Sequence, residues 1–141
     1  MDFYLHESLG FIIRRTSGKI KSEMLNRFRR WDITPEQWAF IRFLWDQDGL
    51  TPQQLSDISC KDRPNTLRII GKLEQKELVL RVPCPQDRRA SQVFLTAKGR
   101  NVKVELDPVL QDLLENALGG ISFAQQEELK AALNRIYQNL G

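Results

Sequence analysis

The stretch LVLRVPCPQDRRASQVFLTAKG, residues 78–99, decides the fold of this chain. Its two ends, Leu78–Val82 and Gln92–Leu95, have the composition of short β-strands. The polar segment between them carries one acid and two bases, Asp87, Arg88 and Arg89. A helical pattern over residues 61–76 comes directly before the first strand. We therefore predict a basic-tipped β-hairpin attached to a basic helix, which together can enter two adjacent grooves of DNA.

The length and composition are those of one ordinary folded domain. The chain has 141 residues, of which 41% are hydrophobic and 28% are charged, so we predict a single domain over residues 1–141. No apolar run approaches the roughly 20 residues that span a bilayer. The N-terminal residues do not follow a signal-peptide pattern, so we expect a cytoplasmic protein without membrane association.

Positive charge is concentrated in one part of the sequence. Residues 61–100 contain ten basic and four acidic residues, whereas residues 101–141 contain three basic and six acidic ones. The excess of +6 therefore lies on the predicted helix and hairpin, as expected for a surface that faces phosphates. The alternative, a solvated lysine-rich face, would not predict this segregation.

Apolar periodicity and capping residues predict six helices. Apolar residues every three to four positions indicate a long first helix from about Phe3 to Arg30. A fifth helix is expected to run to about Ala117 with a kink at Pro108. The predicted N-caps of the last five helices are Thr34, Thr51, Asp62, Thr96 and Ser122.

The third and fourth predicted helices are short and closely connected. We expect Leu55 and Ile58 to face inward on the third helix. The fourth helix should bury a stripe that consists of Leu67, Ile70 and Leu73, and its other faces are polar and basic. This arrangement is typical of a helix-turn-helix.

The first helix and the last two helices carry more apolar surface than a small helix-turn-helix core can cover. Burial of this surface against a second copy of the chain, at about 25 cal/mol per Å² of apolar area, favours an obligate homodimer. The alternative is a monomer with a self-sufficient six-helix core.

The order of elements resembles that of the MarR family of bacterial transcription regulators, over nearly the whole chain. The resemblance rests on Asp87-Arg88-Arg89-Ala90 leading into Leu95-Thr96-Ala97-Lys98-Gly99. It implies a mainly α fold with a small β-hairpin wing: a winged helix-turn-helix at about residues 34–99, between dimerisation helices at about 1–30 and 100–141. It also implies a homodimer that binds a pseudo-palindromic operator on double-stranded DNA at the nucleoid, most often as a repressor.

The resemblance makes the fourth helix the recognition helix in the major groove. Arginine can pair bidentately with guanine and asparagine with adenine, each worth about 1–3 kcal/mol of discrimination. The candidate base-reading residues lie in the first turn and a half: Arg63, Asn65, Thr66 and Arg68. Candidate phosphate contacts, which add affinity without sequence information, are Lys61, Lys72 and Lys98.

The hairpin would be the wing that reaches the neighbouring minor groove. One of Arg88 and Arg89 is expected to enter that groove, where the negative potential is strongest. Asp87 would be repelled by phosphates, so we expect it to position Arg89 through a charge-assisted hydrogen bond.

Two positions depart from the family pattern. Glu77 stands where the family usually has glycine at the end of the recognition helix, and a positive φ there would add about 1 kcal/mol of strain. Gly71 lies in the middle of that helix, where it either permits a close helix crossing or softens the helix.

Candidate effector and redox residues remain open. The family is often derepressed by small phenolic or amphipathic ligands, and Trp38, Phe43 and Trp45 could line the crevice, although aromatics at helical spacing more often form core. Some relatives use cysteine oxidation instead. Cys60 has Lys61 and Arg63 beside it, which could lower its pKa; the alternative for Cys60 and Cys84 is an inert thiol.

Catalysis and metal binding are not expected. The single histidine, His6, excludes a histidine triad or multi-histidine metal site within one chain, and the two cysteines lack zinc-site spacing. We predict neither enzyme activity nor a cofactor. The alternative to a DNA-binding regulator is a winged-helix module that binds protein rather than DNA.

Overall fold

The computed structural model describes residues 8–141, and for Arg88 only the backbone. Six α-helices and one two-stranded antiparallel sheet follow in the predicted order, which confirms the mainly α fold with a β-hairpin. The elements are α1 Leu9–Phe28, a short 3-10 turn Arg29–Trp31, α2 Pro35–Asp46, α3 Pro52–Ser59, α4 Arg63–Gln75, β1 Val79–Cys84, β2 Asp87–Leu95, α5 Ala97–Ala117 and α6 Phe123–Asn139.

The predicted caps of α2 to α6 are all present. The side chains of Thr34, Thr51 and Ser122 accept backbone N–H bonds in full capping boxes, each completed by a glutamine three residues later. Asp62 and Thr96 accept from the backbone N–H of the residue three positions ahead. Local side-chain chemistry therefore places each of these helix starts.

The first helix begins later than predicted. Ser8 has an extended backbone and its hydroxyl accepts the Phe11 N–H, so Ser8 is the N-cap and the helix starts at Leu9. The predicted start at Phe3, and His6 with it, lie outside the described residues. The helix ends at Phe28, and the 3-10 turn that follows contains Arg30.

The core lies between α2, α3, α4, the hairpin and the middle of α5. Its fully buried side chains include Phe40, Leu44, Leu55, Ile70, Leu73, Val93 and Leu106. Two predicted core positions are wrong. Ile58 is 48% exposed, and Leu67 is only half-buried because α4 turns Thr66, Ile69, Ile70 and Leu73 inward instead.

The hairpin is longer than predicted. Val79 pairs with Leu95 and Pro83 with Ser91, and the register shifts after Pro83. The tip therefore consists of residues 85–86, and Asp87, Arg88 and Arg89 belong to β2 rather than to a loop. A bridge between Leu50 and Val93 connects the hairpin to the segment between α2 and α3.

The base of the hairpin is connected to the start of α5 by a compact set of hydrogen bonds. The backbone N–H of Thr96 donates to the Leu78 carbonyl (3.0 Å), and the Thr96 hydroxyl donates to the Glu77 carbonyl (2.7 Å). Gly99 donates its N–H to the Thr96 hydroxyl oxygen (3.0 Å). A Cβ at Gly99 would lie 2.2 Å from the Leu78 carbonyl oxygen, so only glycine fits this contact.

The replacement Gly99→Ala should therefore lower the free energy of unfolding by about 1–3 kcal/mol, because the added methyl group forces α5 away from the backbone of Leu78. Urea denaturation measures this change. Gly71→Ala is the matched control, since nothing lies within 4 Å of a Cβ at Gly71. Open space there also rules out a close helix crossing at Gly71, and alanine should stabilise α4 by up to about 1 kcal/mol. Equal changes in the free energy of unfolding for Gly99→Ala and Gly71→Ala would contradict the conclusion that only glycine fits at position 99.

Candidate nucleic-acid interface

The N-terminal turn of α4 presents two of the predicted base-reading side chains in defined positions. Asp62 accepts both the backbone N–H of Asn65 (2.8 Å) and its side-chain amide (2.9 Å). Arg63 donates from Nη1 to the side-chain oxygen of Gln53 on α3 (3.0 Å). Both Arg63 and Asn65 are exposed. Their neighbours thus orient these two side chains at the N-terminal end of α4.

Thr66 cannot serve as a base contact. Its side chain is fully buried, and its hydroxyl donates to the Asp62 carbonyl oxygen (2.8 Å). The prediction for this residue was wrong because the pattern of polar residues did not show which face of α4 packs on the core. Thr66 instead closes the first turn of the helix from the inside.

Arg68, Lys72 and Lys61 complete the basic surface around α4. Arg68 and Lys72 are exposed, and Lys61 is half-buried just before the helix. Lys98, a further predicted phosphate contact, donates its ammonium group to the carbonyl of Lys76 (3.0 Å). Lys98 therefore caps the end of α4 in the free protein.

The hydrogen bond that Asp87 makes in the wing differs from the predicted one. Asp87 accepts a hydrogen bond from the backbone N–H of Arg89 (2.9 Å), not from its guanidinium group. Asp87 thus orients the backbone at Arg89 and leaves that exposed side chain free to extend. At the other end of the hairpin, Arg81 on β1 pairs with Glu74 on α4, with Nη2 and Oε1 2.6 Å apart, and this pair connects the wing to the helix.

Glu77 has a positive φ, at 60°, which is the strained case considered from the sequence. The N–H of Leu78 donates to the Leu73 carbonyl (2.9 Å) and the N–H of Glu77 to the Glu74 carbonyl (2.9 Å). These two bonds form a Schellman motif, in which the position of Glu77 favours glycine. The helix therefore ends as the family pattern implies, with a strained residue at its end.

Glu36 is a residue of this surface that sequence reasoning missed. It lies in the first turn of α2, and its carboxylate is 3.2 Å from the ammonium of Lys21, 3.7 Å from that of Lys61 and 3.7 Å from the guanidinium of Arg68. Partial burial raises the pKa of Glu36, but the Lys21 hydrogen bond and the three positive charges outweigh it and lower the pKa below its ordinary value. The partners are distant in sequence, so no local pattern could reveal this cluster.

Two of the three predicted crevice aromatics border a cavity. Trp38 and Phe43 line a space of about 430 Å³ between α1, α2 and residues 58–61. Trp38 also borders a second cavity of about 620 Å³, together with Arg42, Lys103 and both apolar and polar side chains of α5. The buried indole N–H of Trp38 has no hydrogen-bond partner among the described residues.

Trp45 has a different environment from the other two aromatics. It is exposed, and the ammonium of Lys103 lies 4.3 Å from its ring centroid and the guanidinium of Arg100 5.7 Å from it. Trp45 therefore forms cation–π contacts with α5 instead of lining either of these cavities.

The two cysteines are free and lie in different environments. Cys84 is half-buried at the end of β1, whereas exposed Cys60 ends α3 with a φ of 56°. The Cys60 sulfur is 3.1 Å from the hydroxyl of Tyr137 on α6, and this hydrogen bond raises the pKa of Tyr137 above its usual value. Lys61 and Arg63 pair with Glu36 and Gln53. Redox sensing at either cysteine stays a prediction.

Residues 8–141 contain neither a metal-binding cluster nor a helix that could span a membrane. Within that range no group of three or more His, Cys, Asp or Glu side chains is arranged to hold a metal ion. No helix in the described part of the chain is long and apolar enough to cross a membrane.

The helix-turn-helix with its attached hairpin defines a winged helix-turn-helix protein. The sequence matches the MarR family over residues 33–91. It is 31% identical over 108 residues to the HTH-type transcriptional regulator FarR of Neisseria gonorrhoeae, with 74% of each chain covered. The chain thus belongs to the MarR family of transcriptional regulators.

Solved structures share the fold over almost the whole chain. BpsR of Bordetella bronchiseptica, whose DNA binding is regulated by 6-hydroxynicotinic acid, superposes with a TM-score of 0.90 at 20% identity, covering 97% of this chain and 98% of its own. MepR of S. aureus, solved in complex with DNA, superposes with a TM-score of 0.87 at 23% identity, covering 94% and 98%.

The replacement Glu77→Gly should raise the free energy of unfolding by about 0.5–1 kcal/mol, since the relief of left-handed strain exceeds the entropy that glycine adds to the unfolded chain. Thermal and urea unfolding measure the difference. Glu77→Ala is the control, because it removes the carboxylate but keeps the strained φ, and it should change stability little. A similar gain in both variants would assign the effect to the charge and not to the backbone.

Proposed function

We propose that this protein is a homodimeric repressor that binds a pseudo-palindromic operator on double-stranded DNA. Helix α4 enters the major groove, and the wing at Arg88 and Arg89 reaches the adjacent minor groove. The observation that carries this proposal is the exposed, oriented set of polar and basic side chains at the start of α4, joined to a wing through the Arg81–Glu74 ion pair. Lys61, Lys72 and Lys98 supply phosphate contacts.

The salt dependence of binding distinguishes a DNA-binding protein from a winged-helix module that binds protein. The excess of +6 over residues 61–100 should make DNA binding fall steeply between about 50 and 200 mM salt, as phosphate contacts release counterions. Fluorescence anisotropy with a labelled duplex measures this dependence. If no duplex is retained at low salt, the protein-binding module becomes the better description.

Arg68→Ala and Arg89→Ala should affect DNA binding in different ways. Arg68→Ala should relax preference at one base of each half-site by about 1–3 kcal/mol, because α4 reads base edges. Arg89→Ala should lower affinity for all sequences while base preference in the major groove persists. Selection from a random duplex pool, followed by competition binding, measures both effects. If both variants lose affinity equally for all sequences, this division of roles between Arg68 and Arg89 is contradicted.

Exposed apolar surface supports a homodimer. None of residues 123–139 is buried, although α6 carries a repeating apolar stripe. Large apolar side chains are also exposed on α1 and α5. The exposed set on these helices includes Leu9, Ile12, Leu25, Leu114, Phe123, Leu129, Leu133 and Tyr137. A patch of this extent favours burial against a second copy.

The replacement Leu133→Asp should convert the dimer to monomer, because a charge would enter the apolar contact between copies. Sedimentation velocity measures the mass, and circular dichroism checks that the helices persist. Asn134→Asp is the matched control, since it introduces the same charge at the neighbouring exposed position of α6 and should leave the dimer intact. A monomeric wild-type protein would refute the dimer directly.

A small phenolic or amphipathic ligand is proposed to release the operator. The cavity beside Trp38 and Phe43 lies between α1 of the dimerisation part and α2 and α3 of the DNA-binding part. A ligand there could alter the position of the helix-turn-helix. The regulation of BpsR by 6-hydroxynicotinic acid supports this type of control.

A further inference from the structure

The Glu36 carboxylate connects three segments of the chain through charge. Lys21 comes from α1, Lys61 from the turn before α4, and Arg68 from the recognition helix itself. The last two are cations that the proposed function assigns to DNA. A negative charge therefore lies against the cations that should meet phosphates or bases.

We propose that Glu36 is a positioning residue that acts as an intramolecular counter-ion of the recognition helix, occupying Lys61 and Arg68 until DNA displaces it. This inference rests on the proposed DNA binding. A carboxylate resembles a phosphate to these cations, since both present oxygen acceptors to ammonium and guanidinium groups. Glu36 thus lowers the affinity of the free protein for polyanions in general.

The distances favour exchange of partners. Lys21 donates a hydrogen bond to Glu36 at 3.2 Å, whereas Lys61 and Arg68 are both 3.7 Å away. The Arg68 side chain is 57% exposed, so it can swing toward DNA without leaving a buried site. Ion pairs of this kind are weak, and DNA phosphates can compete with them.

Lys21 makes the exchange feasible for Glu36 itself. When Lys61 and Arg68 move to DNA, the hydrogen bond with Lys21 still neutralises the half-buried carboxylate. Glu36 is also fixed in place, because it lies in the first turn of α2, which the Thr34–Gln37 capping box orders. Because Glu36 is fixed in place and keeps Lys21 as a partner, it can release Lys61 and Arg68 without becoming an unpaired charge.

The test compares Glu36→Gln with Glu23→Gln. Glu23 is also a glutamate beside an arginine, 4.0 Å from Arg27 on α1, so its replacement changes the net charge equally. We expect Glu36→Gln to bind duplex about two- to fivefold more tightly than wild type at 50 mM salt. Its salt slope should steepen by about 0.9, because the variant lacks the Glu36 charge that the wild-type complex keeps beside these cations, so the advantage should have largely disappeared by 200 mM. Glu23→Gln should match wild type.

A double-variant experiment tests whether Glu36 acts through its partners. In a Lys61→Ala, Arg68→Ala background, Glu36→Gln should no longer change affinity or salt slope. A purely structural role in α2 would instead persist in that background and appear as a loss of thermal stability. Unchanged or weaker binding of the single Glu36→Gln variant, with an unchanged slope, overturns the proposal.

Heparin–Sepharose elution distinguishes this proposal from the DNA-binding function. Glu36→Gln should elute at higher salt than both wild type and Glu23→Gln, because freed cations bind any polyanion. If wild type and variants fail to retain duplex but the heparin shift occurs, the DNA-binding function fails and the counter-ion role stands. If duplex is retained and neither slope nor elution differs, the counter-ion role fails alone.

Discussion

The contact between the Leu78 carbonyl and the start of α5 is the constraint on which the rest of the structure depends. Leu78 accepts the Thr96 N–H, and the absence of a side chain at Gly99 lets the two backbones approach. This contact brings the end of α4, the root of the wing and the start of α5 together at one point. The orientation of the wing relative to α4, and of both relative to α5, is therefore set at this contact.

Carboxylates on α2, on α4 and just before α4 are paired with cations or with an amide within the protein. Glu74 pairs with Arg81, Asp62 with Asn65, and Glu36 with Lys61 and Arg68. The local excess of positive charge thus coexists with carboxylates that orient individual cations and amides. Under the proposed role of Glu36, such pairing would limit nonspecific attraction to polyanions while leaving exposed side chains able to move to DNA.

Helix starts and the hairpin were predictable because their causes are local. Thr34, Thr51, Asp62, Thr96 and Ser122 each satisfy backbone donors within three residues, so their roles follow from short sequence patterns. The faces of helices were less predictable. Thr66 and Ile69 are buried while Ile58 is exposed, because neighbouring helices select the buried face and a one-position rotation changes its members.

The sequence by itself determined the order of elements, the helix caps and the concentration of positive charge. These depend on short-range hydrogen bonding, residue type and composition. Only the tertiary structure decided that Asp87 binds the Arg89 backbone, that Trp45 lies beneath Lys103 and that Glu36 meets Lys21, Lys61 and Arg68. The reason is physical: these contacts depend on the rotation of each side chain and on the packing of segments far apart in the chain, which no local pattern encodes.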